Sequence, residues 1–181
     1  DSDGIINKAD ESRGDELMRK FIAELSASCE RERSVEYYAK QLGITPKYLS
    51  LICKKKVGKN ASKVIDGAVV NKAKEVGVDA IIASDLAVIT YAYHVGVEVH
   101  ISTQCNISNS EAVKFFSQWA DVVVLARELS LEQIAEVHKA IVEQDIRGPK
   151  GELVEIEMFA HGALCMSISG KCYLSEHETA C

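Results

Sequence analysis

The stretch DVVVLARELSLEQIAEVHKAIVEQ, residues 121–144, places a strand pattern shortly before a helix pattern. Its first seven residues form a mostly apolar run, which is typical of a strand. Ser130 and Gln133 have the spacing of a capping box, the local pattern that begins a helix, and a helical stretch follows them. A strand connected by a few residues to a helix is the unit of a β/α fold, so this stretch favours the α/β class.

The same alternation continues on both sides of this stretch. Three further segments have the apolar content of strands, namely residues 79–85, 97–103 and 153–160. Helical patterns lie between the strands, at residues 86–96 and 109–120. Strands that alternate with helices predict a parallel sheet with right-handed crossovers. We therefore predict an α/β fold in which an N-terminal helical part, a helix-turn-helix, precedes a partial, half-barrel-like parallel β/α domain.

Polar residues follow each of the four predicted strands. They are Ser84 and Asp85, then Ser102, Thr103 and Gln104, then Arg127 and Glu128, and finally His161. Function in β/α folds gathers at the carboxyl ends of the strands, so we take His161, Arg127 and Glu128 as candidate catalytic residues. The alternative for each cluster, taken alone, is an ordinary helix cap.

The first part of the chain has the pattern of short helices. Residues 14–29, GDELMRKFIAELSASC, place apolar side chains on one helical stripe. Ser34 is suited to cap a second helix that ends at Gly43, and Thr45-Pro46 is suited to begin a third. A helix, a glycine turn and a second helix with a basic outer face predict a helix-turn-helix.

The third helix is expected to have a buried side and a basic outer side. Leu49, Ile52 and Cys53 recur at helical spacing and form the buried side, whereas Leu51 points outward. The candidates for DNA contact on and beside the outer side are Lys47, Ser50, Lys54, Lys55 and Lys56. Residues 38–66 contain seven lysines and one acidic residue, a balance that suits a polyanion, with a solvated lysine face as the alternative.

Composition limits the class of protein. The chain has 181 residues, 47% of them apolar and 27% charged, which is typical of a globular protein. Its sequence contains no apolar run of membrane-spanning length and no signal-peptide core, so we expect a cytoplasmic protein without a membrane partner. Six cysteines in such a chain are expected to be reduced thiols or metal ligands. The chain begins with Asp1 instead of Met, so we expect a fragment or a trimmed product.

Residues 157–175, EMFAHGALCMSISGKCYLS, contain two cysteines with six residues between them. Thiols in a glycine-containing loop at a strand exit can reach one soft metal centre, whereas two buried and inert cysteines are the alternative. The stretch resembles the signature of the collagenase-like peptidase family U32. The matching residues are Glu157, Phe159, Gly162, Cys165, Gly170, Cys172, Leu174 and Ser175. Because the whole stretch matches, we favour the family interpretation over two inert cysteines.

This resemblance covers about residues 75–181 and implies the fold and chemistry of the family. The family is expected to have a barrel-like β/α domain, of which this chain contains about half of the strands. Some members are described as collagenase-like, and others are associated with hydroxylation of RNA bases or quinone precursors and hold a 4Fe–4S cluster on four cysteines. The resemblance therefore implies Cys165 and Cys172 as metal ligands and RNA or protein as substrate. Cys181 lies outside the signature, and we interpret it as incidental.

A second resemblance covers about residues 15–66. The segment RSVEYYAKQLGITPKYLSLICKKKVGKNASKVID, residues 33–66, resembles the first helix-turn-helix of AraC-type transcription regulators. This resemblance implies DNA as a partner. Leu51 departs from the pattern, because regulators often carry arginine there, and the chain leaves the pattern before a second helix-turn-helix. A single half-site reader should bind DNA weakly and largely through phosphate charge.

Two functional hypotheses follow, on three predicted segments. Residues 1–66 form the helix-turn-helix segment, residues 67–78 a linker helix, and residues 79–181 the partial β/α domain. The first hypothesis is a fragment of a U32 enzyme, a peptidase by family name with iron–sulfur-dependent RNA hydroxylation chemistry, joined to the helix-turn-helix segment. The alternative is a segment of an AraC-type, sequence-specific DNA-binding regulator. The sequence contains no H-E-x-x-H and no recognisable nucleophile elbow. We expect the isolated chain to be inactive and, because a half-barrel exposes sheet edges, to self-associate.

Overall fold

The computed structural model describes residues 3–162 and Ser169, with side chains from Arg13 onward. The chain divides into two compact units, residues 1–77 and residues 78–181. The first is helical and the second combines helices with a parallel sheet, so the predicted α/β class is confirmed. Among the described residues there is no helix with the length and apolar content needed to span a membrane.

Four helices form the first unit. They are α1 (Asp3–Ser28), α2 (Val35–Gln41), α3 (Pro46–Val57) and α4 (Ala61–Val76). The last three begin at polar caps, because the side chains of Ser34, Thr45 and Asn60 each accept a hydrogen bond from the backbone N–H three residues later. The starts predicted at Ser34 and at Thr45-Pro46 are therefore confirmed. Gly43 is not the cap of α2 as predicted, since Leu42 is the cap and Gly43, with φ 66°, makes the turn just beyond it.

The helical core is built around two aromatic rings. Phe21 and Tyr38 are fully buried and meet edge to face, with ring centroids 5.6 Å apart. The Tyr38 hydroxyl donates to the backbone carbonyl of Glu32 at 2.7 Å, which satisfies the polar end of the buried ring. Burial raises the pKa of Tyr38 to about 12. Ala61 and Ile65 also lie in this core, so the helix predicted as a linker at residues 67–78 is the end of a longer helix whose first turns are core.

The second unit alternates strands and helices as the sequence predicts. Its elements are β1 (Ile81–Ala83), α5 (Leu86–Val95), β2 (Val99–Ile101), a short 3₁₀ turn (Thr103–Cys105), α6 (Ser110–Phe116), β3 (Val122–Val124), α7 (Leu131–Glu143) and β4 (Glu155–Glu157). The four strands pair in parallel in chain order, and each lies inside its predicted segment. The capping box of Ser130 and Gln133 begins α7, as predicted.

The two faces of the sheet differ in burial. Register places Ala83, Ile101, Val123 and Ile156 in one row, whose first three members are buried. The neighbouring row, which points to the opposite face, contains Ile82, His100, Val122 and Glu155. Ile82 is 68% exposed and Glu155 is exposed, whereas His100 and Val122 are half-buried and Val124 on the same side is buried, so this second face is partly open to solvent and we call it the open face. In a closed barrel the face without helices is the interior, and the open face therefore fits the predicted half-barrel.

The connection between α7 and β4 contains a tight turn near residues 148–151, which lies at the amino end of the sheet. Asp121, just before β3, accepts a hydrogen bond from the backbone N–H of Lys150 at 2.9 Å through Oδ1. Its backbone carbonyl accepts from the N–H of Glu155 at 2.8 Å. Gly148 lies so close to Asp121 that a Cβ placed there would lie 2.8 Å from the Asp121 Cα and closer still to its carboxyl group. Glycine is therefore required at residue 148 by close approach of the backbone.

We expect Gly148→Ala to destabilise the second unit by about 1–3 kcal/mol, because the added methyl group forces Asp121 away from the turn. The free energy of unfolding measured in urea tests this expectation. Gly162→Ala is the matched control, since among the described residues a Cβ at residue 162 meets only the Phe159 ring, at an ordinary 3.9 Å. An equal loss of stability in both variants would contradict the steric argument.

We predict that the two units have separate cores and can be cleaved apart by limited proteolysis. Ala61 and Ile65 hold α4 in the helical core, so the expected cleavage site is the exposed Gly77-Val78 segment that follows the helix. Mass spectrometry of the fragments identifies the site. A single resistant core that contains both units would contradict the prediction.

Candidate functional site

The carboxyl ends of the parallel strands bring the predicted polar clusters to one edge of the sheet. Two members of these clusters are helix caps. Asp85 caps α5 by accepting from the N–H groups of Ala87 and Val88 at 2.8 and 3.1 Å. Ser102 caps the 3₁₀ turn by accepting from Gln104 N–H at 3.2 Å. The simpler interpretation, an ordinary cap, therefore accounts for Asp85 and Ser102.

Ser169 connects three polar groups at this edge. It is only 2% exposed. Its hydroxyl lies 3.3 Å from the Thr103 hydroxyl and accepts from the backbone N–H of Arg127 at 3.4 Å. Its own N–H donates to Glu128 Oε1 at 2.6 Å. We call these four residues the Ser169 clasp, and it joins the ends of β2 and β3 to a residue of the 157–175 stretch.

The electrostatics of the clasp define the role of Glu128. The hydrogen bond from the Ser169 N–H, with a smaller contribution from the nearby Arg127 charge, holds the pKa of the Glu128 carboxyl below its usual range. Glu128 is therefore ionised at neutral pH and acts as a hydrogen-bond acceptor. A general acid needs a proton near the working pH, so this geometry does not suit Glu128 to that role.

Among the described cysteines, Cys105 has its thiol at the same edge of the sheet. Its Sγ donates to the backbone carbonyl of Ser84 at 3.5 Å, between the ends of β1 and β2. Partial burial raises the pKa of the Cys105 thiol, so it remains protonated at neutral pH. Cys29 and Cys53 are buried in the helical core, as predicted, and burial raises the pKa of Cys53 to about 11.

The predicted site residues that remain are His161, Cys165 and Cys172. His161 is exposed and follows β4 by four residues, and it makes no hydrogen bond or ion pair with another described residue. Cys165 and Cys172, the predicted metal ligands, lie outside the described residues. Within the described part of the chain, no three His, Cys, Asp or Glu side chains are grouped so that they could hold a metal ion.

The sequence analysis missed a second polar group, on the open face of the sheet. His100 Nδ1 lies 3.4 Å from Glu157 Oε2, and His100 Nε2 lies 3.7 Å from Glu98 Oε1. The other oxygen of Glu98 is paired with Lys150 Nζ at 2.6 Å, and this bond holds the pKa of Glu98 below its usual range. An imidazole between two carboxylates is suited to proton transfer. The sequence signal was the alternation in VEVHIST, which puts Glu98 and His100 on the polar side of a strand.

The basic surface of α3 is arranged as the sequence predicts. Leu49, Ile52 and Cys53 are buried, whereas Leu51 is 61% exposed. The candidate contact residues Lys47, Lys54 and Lys55 are exposed and Ser50 is half-buried. Lys56 is partly neutralised, because its Nζ forms an ion pair with Asp15 Oδ1 of α1 at 2.6 Å.

Comparison with known proteins finds relatives that each match less than half of the chain. A collagenase of Porphyromonas gingivalis is 66% identical over 80 residues, which are 44% of this chain and 19% of the relative. A 23S ribosomal RNA 5-hydroxycytidine synthase of Escherichia coli is 43% identical over 82 residues, 45% of this chain and 11% of the relative. The tRNA hydroxylation protein P of Haemophilus influenzae is 41% identical over 78 residues, 42% of this chain and 15% of the relative.

The matched part of the chain thus spans less than a quarter of the length of these curated relatives. No solved structure matches the chain. The family model described as peptidase family U32 matches residues 60–180, which include α4, the whole parallel sheet and the stretch that carries the signature. The chain therefore belongs to peptidase family U32.

Proposed function

We propose that residues 78–181 contribute part of the site of an RNA-modifying member of family U32, and that this chain needs further barrel strands for activity. The observation that carries the proposal is the Ser169 clasp. It places Ser169, which lies between the two signature cysteines in the sequence, at the carboxyl ends of β2 and β3, where β/α enzymes gather their reactive groups.

One feature speaks against peptide hydrolysis by a serine nucleophile. The relatives do not distinguish the two chemistries, because they include collagenases as well as proteins named for rRNA and tRNA hydroxylation. Among the described residues, the buried Ser169 hydroxyl is hydrogen-bonded to Thr103 and to a backbone N–H, and no imidazole lies beside it to act as a base. A serine nucleophile needs such a base within hydrogen-bond reach.

The family chemistry also calls for a 4Fe–4S cluster, which would supply one-electron transfer when bound. Cys165 and Cys172 would provide two of its four thiolates. They are four and three residues from Ser169, so the covalent chain keeps both within roughly 15 Å of the clasp. Two thiolates are too few for a stable cluster, and we therefore expect the isolated chain to hold iron poorly.

A chimera tests the proposal. Residues 78–181 would replace the matching segment of the Haemophilus influenzae tRNA hydroxylation protein P, which supplies the rest of the barrel. We expect hydroxylated tRNA in cells that lack the native protein, measured by mass spectrometry of tRNA nucleosides. The same chimera with Cys165→Ser and Cys172→Ser should fold equally well and produce at least tenfold less product.

A parallel chimera with the Porphyromonas gingivalis collagenase separates the two chemistries. Gelatin cleavage that persists in this second chimera after both cysteines are replaced, together with a folded but inactive tRNA chimera, would contradict the RNA proposal and favour a peptidase.

A second candidate function, DNA binding by the helical unit, is favoured by the outer side of α3. Lys47, Ser50, Leu51 and Lys54 follow one another at helical spacing on this side, opposite the buried side chains. A helix whose exposed stripe carries lysines can lie in a major groove and contact phosphates. A single unit of this kind should bind DNA weakly and with little sequence preference.

We predict that Lys54→Ala combined with Lys55→Ala weakens binding to all DNA sequences alike. Each lost phosphate contact should reduce the slope of log affinity against log salt concentration by about one. Fluorescence anisotropy with a labelled duplex at several salt concentrations measures this slope. Lys56→Ala is the matched control and should have a smaller effect, because Asp15 already neutralises that lysine. Binding that resists high salt, or that strongly prefers one sequence, would contradict the prediction.

A further inference from the structure

His100 lies on the open face of the sheet, and both of its ring nitrogens face carboxylates. Nδ1 lies 3.4 Å from Glu157 Oε2, and Nε2 lies 3.7 Å from Glu98 Oε1. Glu98 precedes β2 and Glu157 ends β4, so the imidazole connects two segments that β3 separates in the sheet. On this face β3 contributes only the apolar Val122 and Val124. Among the described residues, the two carboxylates are therefore the charged groups within ion-pair distance of the ring.

Lys150 fixes the charge of one of these carboxylates. Its Nζ lies 2.6 Å from Glu98 Oε2, and this bond holds the pKa of the Glu98 carboxyl below its usual range. Lys150 is itself held in place, because its backbone N–H donates to Asp121 Oδ1 at 2.9 Å. Glu98 is therefore ionised at neutral pH, and its other oxygen favours a proton on the ring nitrogen that faces it, Nε2 of His100.

The contact between Nδ1 of His100 and Glu157 calls for a second proton. A neutral imidazole has only one N–H group, so with that proton on Nε2 the Nδ1 lone pair would point at Glu157 Oε2. Two electron-rich atoms at this distance repel each other, whereas one proton between them makes the contact attractive. Imidazole is a stronger base than a carboxylate, so this proton resides on Nδ1.

The pair of His100 and Glu157 is accessible and lies near the carboxyl edge of the sheet. The side chain of Glu157 is 50% exposed and that of His100 is 27% exposed. Glu157 is the last residue of β4, and His100 precedes the last residue of β2. The same face also carries Glu155, an exposed carboxylate of β4, and the apolar Ile82 of β1. Reactive groups of β/α enzymes gather at this end of the strands, so the proton lies where a ligand can reach it.

We propose that His100 and Glu157 form a proton-transfer pair of the open face, and that Glu98, held by Lys150, is a positioning residue that orients the imidazole. The pair holds one exchangeable proton between Nδ1 and Oε2. It gives this proton to a nitrogen or carbonyl oxygen of a bound ligand and regains one from water, so that only a proton moves. The ligand class, a nucleobase with its ring nitrogens and carbonyl oxygens, rests on the proposed function.

Imidazole ¹⁵N NMR of the 181-residue chain at neutral pH tests the pair, with the His100 signals assigned through His100→Gln. We expect both ring nitrogens of His100 to carry a proton in more than about half of the molecules, because two carboxylates face the ring. Glu157→Gln keeps the shape of the side chain and removes its charge. This change should reduce the doubly protonated fraction at least about twofold.

The tautomer of the neutral ring is a readout that a merely structural role would not change. In Glu157→Gln the remaining proton of His100 should lie on Nε2, which faces Glu98. In Glu98→Gln it should lie on Nδ1 instead, which shows that Glu98 orients the imidazole. Glu155→Gln is the matched control, an exposed carboxylate of the same strand, and should leave the ring unchanged. The ring of His138, exposed on α7, should not respond to any of these changes.

Cytidine is the probe for the ligand. We expect cytidine at millimolar concentration to shift the His100 ring signals in a saturable way and to leave those of His138 unchanged. Glu157→Gln should weaken the apparent affinity by about fivefold, as expected when one hydrogen bond is lost. A wild-type His100 ring with a single protonated nitrogen, unchanged in Glu157→Gln, would overturn the pair. A doubly protonated ring that depends on Glu157 and does not respond to cytidine would overturn the nucleobase as ligand and leave the pair intact.

Discussion

The parallel pairing of four strands in chain order is the constraint on which the second unit depends. Parallel strands require a crossover after each strand, and α5, α6 and α7 supply these connections. The same pairing sends every strand end to one edge. Residues that are distant in the sequence, such as Thr103 and Glu128, therefore become neighbours of a single residue, Ser169.

The edge and the open face differ in chemistry. At the edge, Glu128 is kept ionised and Cys105 is kept protonated, so these two groups are poorly suited to donate or accept protons at neutral pH. The open face instead carries His100 between the carboxylates of Glu98 and Glu157. In a complete barrel this face would be interior, which is consistent with a chain that spans a small part of its relatives and contributes only part of a site.

The sequence predicts the features that depend on local patterns. The four strands, the caps at Ser34 and Ser130, and the buried side of α3 follow from apolar spacing and from side chains that bond within three residues. Local patterns could not predict the Ser169 clasp or the group formed by Glu98, His100 and Glu157. The contact between Thr103 and Ser169 joins residues 66 positions apart and depends on where the chain after β4 meets the carboxyl edge of the sheet. The contact between His100 and Glu157 depends on the register of β2 and β4 on either side of β3. The signature predicts a role for its two cysteines, whereas the described polar contacts of this stretch come from Glu157 and from Ser169, the serine between the cysteines.

Hydrogen exchange at the Ser169 amide is the most direct test of this account, because that N–H donates to Glu128 at 2.6 Å and its protection reports the clasp itself. Site-resolved exchange on the uncleaved 181-residue chain at neutral pH should show a protected Ser169 amide. In the Glu128→Ala variant that protection should be lost, while the amide of Ile101 in β2 remains protected. A Ser169 amide that exchanges at the rate of an unstructured peptide in the wild-type chain would contradict the account.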